Sequence, residues 1–515
     1  MSPGKRRTAF ILIAGLIASF CALIIGTTSS FSRAALTKSL QETFPATVTF
    51  QKFHRTFFPH PGFIAEGAVF RQLGRSPEIP PIVTIARLQL RARYFDQLFR
   101  PGYVASILAD GFQVYIPPEG TPLQETGWKE TPSKLRVGEI LFPDAVLEIA
   151  REGTRKPLLF PIHSLKLSGA DRNRPVGYEL AMGNALPPGE IRARGQFGPW
   201  NTGNPGETPL SGTYIFANAD LGVFDGLAGT LSAKGEFHGP LGQIESTGDV
   251  NIPDFALTRT KHPIDITSSY RALIDGTNGD TTLQRVDSYF LKTRILARGK
   301  VAGISGQKGK TASLDLFGSR ARLQDMMRIV IREPEPPFNG FVNFRAHAVI
   351  PPVDAPFLQK VRVGADFGIV GGEFTDPDNR KTVNDFSERA RGQKPDDDSE
   401  KSDRVVSNLA GHVELKDASA NFSHFSFAIP GASAKMQGTY GLIDRKINLH
   451  GTLKSEAELS ELKTGVMSVL LKPFDRFFKK KHAGAVIPVH LVGTYDDPQP
   501  GVDILPKGAQ EPAQP

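Results

Sequence analysis

Cysteine is almost absent. The single Cys21 in 515 residues lies inside an apolar run, so no internal disulfide can form and no thiolate metal cluster can be built. Tryptophan (2) and methionine (6) are nearly as scarce. Neither sign of charge dominates: 61 Lys and Arg stand against 53 Asp and Glu, a net +8 scattered along the chain. That balance gives no argument for nucleic acid, and an anionic lipid surface suits it at least as well. Catalytic motifs are also missing. The segment 303–311 resembles a phosphate loop, but its first glycine stands one position too far out, and it reads as a hairpin turn. The stretch Ser305-x-x-Lys308 would need a helix to bring the two side chains together, and its glycines argue against one. The second glycine of a nucleophile elbow is lacking at 431–435. The 11 histidines show no close ligand spacing, and His424 and His490 read as strand residues. The segment 275–280 reads as hairpin punctuation rather than a calcium loop. No catalytic residue, cofactor or metal is expected.

Long hydrophobic runs are limited to one. Lys5, Arg6 and Arg7 precede 18 uncharged residues at 9–26, with the sequence AFILIAGLIASFCALIIG. A cleaved signal peptide is the competing reading. The run is longer than a usual signal core of about 7–15 residues, and no A-x-A site follows it. Phe20 before Cys21 rules against lipoprotein processing. The expectation is an uncleaved anchor with residues 1–8 cytoplasmic and the bulk of the chain across the membrane.

What the chain does contain is glycine (51), proline (40) and period-two alternation, the composition of a mainly β protein. Residues 405–453 are the clearest case. Val413 and Leu415 alternate with Glu414 and Lys416, and Phe422 precedes Phe425, Phe427 and Ile429 with a one-residue slip at Ser423-His424 that predicts a β-bulge. Met436 lies in the next alternating run, and Leu449 and Leu453 in the fourth. Strands are expected from Thr47, including Ile82–Arg93 and Tyr103–Ile116, and short alternating runs punctuated by Gly, Pro, Asn or Asp repeat from Leu135 to Ile266. Gly-Thr-Tyr recurs at 212, 438 and 493, and Gly-Thr-Leu at 229 and 451, a faint echo of one repeated unit. Helical spacing appears at 33–44, 320–332 and 456–472, with one helical turn at 94–99. The charged stretch 375–404 is expected to be a disordered loop, and 506–515 a disordered tail. The expected organisation is therefore an anchor at 9–26, a β region over 27–374, the loop, and a second β region over 405–505.

Strands with one apolar face must have that face covered. About three amphipathic helices cannot cover so many strands. From the residues alone two architectures stay open: a chain of closed β-sandwiches, or one long sheet with an uncovered face.

Three stretches carry a resemblance. The first is the sequence GQFGPW at 195–200 with TPLSGTY at 208–214, Ala219-Asp220-Leu221 and Pro253-Asp254-Phe255. The second runs from DASANFS at 417–423 through IPGA at 429–432. The third is FDRFFKKK at 474–481 leading to IPVHLVGTY at 487–495. Together with the anchor and Phe57-Phe58-Pro59, they resemble the AsmA family of bacterial envelope proteins. The resemblance implies a long, twisted, mostly antiparallel sheet curled into an open groove, like the chorein-type bridge proteins. It also implies an inner-membrane tether, a periplasmic body and phospholipid passage between inner and outer membranes. The alternative function is a non-enzymatic assembly factor for outer-membrane proteins. On the groove reading, Val413, Leu415, Phe422, Phe425, Phe427, Ile429 and Met436 contact lipid. Phe474, Phe477, Phe478, Lys479, Lys480 and Lys481 meet a bilayer, meet an outer-membrane or periplasmic partner, or simply pack on the last strands.

Overall fold

The computed structural model describes residues 46–72, 79–99, 103–117, 136–150, 156–171, 174–201, 203–260, 262–304, 309–391, 407–455, 486–495 and 497–503, with Arg33 and Thr37. The 9–26 run, the 33–44 helix apart from those two residues, the 456–472 helix, the 474–481 segment and the 506–515 tail lie outside them. Among the described residues no helix is long and apolar enough to cross a membrane.

The alternation resolves into one sheet of 25 strands. The first part comprises β1 (Ala46–Thr49), β2 (Lys52–Thr56), β3 (Gly62–Gln72), β4 (Val83–Arg91), β5 (Tyr103–Ile116), β6 (Arg136–Ile149) and β7 (Leu158–Asp171). The middle runs through β8 (Val176–Ala185), β9 (Pro188–Phe197), β10 (Pro209–Asp220), β11 (Leu227–Ala228), β12 (Thr230–Pro240), β13 (Ile244–Leu257), β14 (Ile264–Asp275), β15 (Asp280–Phe290), β16 (Thr293–Gly303) and β17 (Lys310–Arg322). The last part holds β18 (Phe338–Ile350), β19 (Arg362–Phe374), β20 (Ser407–Lys416), β21 (Ser419–Ile429), β22 (Ala432–Gly441), β23 (Lys446–Ser455), β24 (Val486–Thr494) and β25 (Pro498–Val502). Neighbours in sequence are neighbours in the sheet almost throughout. Pairing is antiparallel except between β5 and β6, which run parallel. Both β1 and β2 lie along β3, and both β11 and β12 lie along β13. Among the described residues β25 pairs only with β24, and the sheet does not close on itself. A chain of separate sandwiches is thereby excluded for these strands.

Several local expectations hold. The segment 275–280 is a β-hairpin connection, and β16, ending at Gly303, pairs antiparallel with β17, beginning at Lys310. The register slips where the apolar phase does: His412 opposes His424 and Val413 opposes Phe422, leaving Ser423 as the extra residue. In four of the five Gly-Thr echoes the glycine lies where the neighbouring strand comes close. A Cβ on Gly212, Gly438, Gly451 or Gly493 would lie 2.5, 2.0, 1.9 and 2.5 Å from a backbone carbonyl.

The helices are α1 (Tyr94–Phe99), α2 (Leu323–Val330), the single turn α3 (Phe357–Lys360) and α4 (Pro377–Ala390). The α4 helix corrects the expectation of a disordered loop at 375–404. Low hydrophobicity hid it, because its contact with the sheet is narrow. Val383 and the fully buried Ala390 pack on Phe427, Ile429 and Ala432, while the Ser387 hydroxyl donates to the Pro430 carbonyl at 2.8 Å. Among the described residues the sheet numbers 25 strands. Because two pairs of short strands share a position, the sheet has 25 − 2 = 23 places and a contour of about 105 Å at roughly 4.8 Å per strand.

Local polar ties hold the turns. Asp325, buried in the first turn of α2, accepts from the Lys292 amide (3.0 Å) and the Thr293 hydroxyl (2.8 Å) and so fixes the β15–β16 turn. Asp287 on β15 is gripped by Arg294 and Arg285 (shortest N–O distances 2.5 and 3.0 Å), which holds its carboxyl down at about 2. A depressed carboxyl stabilises the fold above its unfolded pKa near 4, and the contribution disappears as pH falls toward 2. Asp287→Asn is therefore expected to cost on the order of 1–2 kcal/mol at pH 7 and to flatten acid unfolding between about pH 4 and 2. Denaturant titrations of both proteins across that range measure it. An unchanged acid limb means the pair is energetically silent.

Candidate functional site

Cross-strand register decides which side chains share a face, because directly opposed residues point the same way. Starting at Phe142 on β6, one row can be followed through every strand position to β25. It reads Phe142, Leu165, Leu180, Ala193, Tyr214, Gly235, Gly248, Tyr270, Val286, Ala297, Leu316, Ala346, Ala365, Val413, Phe422, Gly438, Leu449, Leu491 and Pro500. No member carries a charge. The neighbouring register is the reverse: Lys166, Glu179, Arg194, Thr213, Glu236, Thr247, Arg271 and Arg285 follow one another on the other face. One apolar and one polar face thus persist along the sheet.

The apolar face is covered unevenly. Over β1–β7 it is packed against itself: Phe63, Leu88, Leu90, Ile107, Ile140 and Phe142 are at most 1 % exposed. Left-handed backbone at Gly67, Gly111 and Asp144, one each in β3, β5 and β6, breaks the strands there, and Gly111 has only Ala86 beside it. From β8 onward the same face is mostly half-buried. Two helices touch it at one margin. In α2, Leu323, Met326 and Met327 pack around Ala321, Phe338, Val342 and Ile369, and α4 packs near Ile429.

In the middle of the sheet, aromatic rings lie over glycines. A Cβ on Gly235 would meet Tyr214 at 2.9 Å, and one on Gly248 would meet Tyr270 at 3.0 Å. The hydroxyls of Tyr214 and Tyr270 bond each other across the two intervening strands, and Ser246 Oγ joins Tyr270 at 3.0 Å. Burial and this bond raise the Tyr214 hydroxyl well above the ordinary tyrosine value. Burial alone pushes Tyr178 up to about 12, and its hydroxyl donates to the Ser211 carbonyl. These tyrosines stay neutral at any physiological pH.

The seven expected groove residues fall together. Val413, Leu415, Phe422, Phe425, Phe427, Ile429 and Met436 all lie on the apolar face of β20–β22, with Val413 opposite Phe422 and Phe425 opposite Met436. All are half-buried except Ile429, which α4 covers. The other expected contact set, Phe474 to Lys481, lies outside the described residues. Sequence reasoning passed over three arrangements because each needs the register: the tyrosine bridge, the Asp287 clamp, and a cluster of His450, His490 and Asp503.

Two further surfaces stand out. A cavity of about 1530 Å³ is lined by Arg192, Arg194, Lys234, Glu236, Asp249 and Arg271 among others. These side chains belong to the polar register, and Leu180, Ala193, Tyr214 and Tyr270 of the uncharged row also line the cavity. At the β1–β4 end, Phe57, Phe58, Phe95 and Phe99 are 67, 90, 66 and 68 % exposed. The Tyr94 hydroxyl bonds the Phe57 carbonyl and brings the β2–β3 loop beside α1.

Family models, curated proteins and solved structures were all compared with the chain, and none matches.

Proposed function

We propose that this chain is a membrane-tethered conduit for phospholipid acyl chains, passing lipid between the inner and outer membranes of a bacterial envelope along its uncovered apolar face. The resemblance of three stretches to the AsmA family motivates the reading. The uncharged row running through 19 successive strand positions of an unclosed sheet carries it. A phospholipid in water exposes roughly 30 methylenes, at about 0.8 kcal/mol each, or on the order of 25 kcal/mol. A continuous apolar strip lowers that barrier without a chemical step. A single charge in the row would restore part of it.

The tyrosine bridge supports a trough shape. Tyr214 and Tyr270 are three strand spacings apart, about 14 Å on a flat sheet, yet their hydroxyls meet. Both rings lean over Gly235 and Gly248 to close that gap, as a trough-shaped apolar face would favour. The exposed aromatics at the β1–β4 end suit a bilayer interface, where rings partition readily. On this reading the 9–26 run and this aromatic end hold the conduit to the inner membrane. No nucleotide motif is present in the sequence, so direction comes from a partner or a lipid gradient.

Purifying the full chain in mild detergent and analysing bound lipid by mass spectrometry tests the reading. Phospholipid is expected at several molecules per chain. A lipid-free protein that still binds an outer-membrane assembly partner would sink the conduit and favour the assembly role.

A further inference from the structure

On the polar face at the last strands of the sheet, two imidazoles and a carboxylate converge. His450 on β23 and His490 on β24 are directly opposed, with ring centroids 5.9 Å apart. Asp503 follows β25 and reaches both: its Oδ1 lies 2.6 Å from His490 Nδ1 and its Oδ2 3.5 Å from His450 Nδ1. One ligand atom from each of the three residues lies within 4.8 Å of the others. Among the described residues this is the one such trio.

We propose that His450, His490 and Asp503 bind a divalent first-row transition ion, with Zn²⁺ the natural occupant. Three features separate this trio from ordinary surface ion pairs. First, His450 Nε2 lies 2.8 Å from Asn448 Oδ1, which can only accept there if the ring nitrogen donates. That contact orients the ring so that its Nδ1 edge faces the Asp503 carboxylate at 3.5 Å, a separation suited to two donors sharing one ion. Fixing a ligand imidazole by donating its other N–H to an oxygen is the usual support of a metal-bound histidine. Second, His490 lies flat on Gly501, its direct cross-strand partner, where a Cβ would come 2.4 Å from Nε2. Only glycine leaves the ring in place. Third, the donor set is right: two nitrogens and one carboxylate oxygen suit Zn²⁺ at about 2.0–2.2 Å, with water completing the shell. At such bond lengths donors stand roughly 3.4 Å apart, so small side-chain rotations close the site.

The contrast with the other histidine pairs sharpens the assignment. His347 meets Asp315 at 2.7 Å and Ser313 at 3.3 Å, and His412 meets Asp366 at 2.7 Å through one ring nitrogen and Glu414 at 3.9 Å through the other, so neither gathers three donors at one point. His424 stacks on His412 without adding a third convergent donor. The proposed site also has a mechanical sense. β25 is the last of the described strands, and Pro498 and Pro500 cannot donate backbone hydrogen bonds to β24. An ion held jointly by β23, β24 and the residue after β25 staples that weak margin.

The site lies on the face opposite the apolar row, so it stands or falls separately from the lipid reading. The test uses the tag-free full chain in detergent, stripped with a chelator, and titrated with Zn²⁺ against a chromophoric competitor. Expected are one Zn²⁺ per chain, a rise in Tm on adding Zn²⁺, and a visible Co²⁺ spectrum of low coordination number. His490→Gln should abolish all three. Asn448→Ala, which leaves every ligand in place, should weaken Zn²⁺ about 10-fold or more. The proposal is overturned if Zn²⁺ binds no more tightly than to a His450→Gln, His490→Gln, Asp503→Asn triple variant, or if the Co²⁺ spectrum is the same in both.

Discussion

Val413→Asp is expected to strip at least about nine-tenths of the bound phospholipid from the purified chain while leaving the protein folded and membrane-associated. Val413 stands in the uninterrupted apolar row, between Ala365 on one side and Phe422 on the other, and is half-buried. Its half-exposed position lets a carboxylate turn toward water, so the fold survives. A lipid tail moving along the row meets the charge and must pass it, with the carboxylate's desolvation cost of several kcal/mol opposing close contact. Phe425→Asp and Met436→Asp, directly opposed on β21 and β22, should behave alike. The control is Glu414→Val, one residue away on the polar face, which should leave lipid content unchanged. Lipid per chain by mass spectrometry, with circular dichroism for folding, decides the matter. Equal lipid in Val413→Asp and wild type removes the row from the transport path.

The second large effect concerns what fills the apolar face. Phe63→Ala is expected to cost about 3–5 kcal/mol, because the ring is 1 % exposed and its neighbours Phe53 and Leu90 cannot close the cavity. Leu316→Ala, on the same apolar face but half-buried in β17, should cost about 1 kcal/mol or less in delipidated protein. The two sites also respond differently to lipid. Added phospholipid should stabilise wild type more than Leu316→Ala, since the leucine's contact area is shared with the tail, and should leave the Phe63→Ala deficit unchanged. Chemical denaturation with and without lipid gives both numbers. An equal loss at the two positions means that protein, rather than lipid, packs the later strands.

How much of this was legible in the sequence follows from the range of each interaction. Alternation is a property of adjacent residues, so the strands within 405–453 could be read directly, and the bulge at Ser423 was visible as a slip in apolar phase. Helix α2 announced itself through Leu323, Met326 and Met327 at helical spacing. The α4 helix did not: it has few apolar residues, and its contacts with the sheet include Val383, Ala390, Ser387 and the charged Arg380, which donates to the Phe374 carbonyl. The difference between a packed and an open face was invisible too. Phe63 and Phe422 both sit in strands with an apolar face, and only the third dimension makes one inaccessible and the other half-exposed. The His450, His490 and Asp503 trio spans 54 residues of sequence, so no spacing rule finds it without the pairing of β23 with β24.

The order of the strands has a consequence for how the chain acquires its shape. Nearly every strand hydrogen-bonds to the one synthesised just before it, so each new hairpin needs only a short loop to close and can add to a growing edge as it emerges. The parallel joint between β5 and β6, whose connection must run the length of a strand, falls early, inside the densely packed first seven strands. Assembly can therefore start from a nucleus at the beginning of the polypeptide and continue by accretion, a directional growth that a closed barrel, which must join its first strand to its last, does not permit.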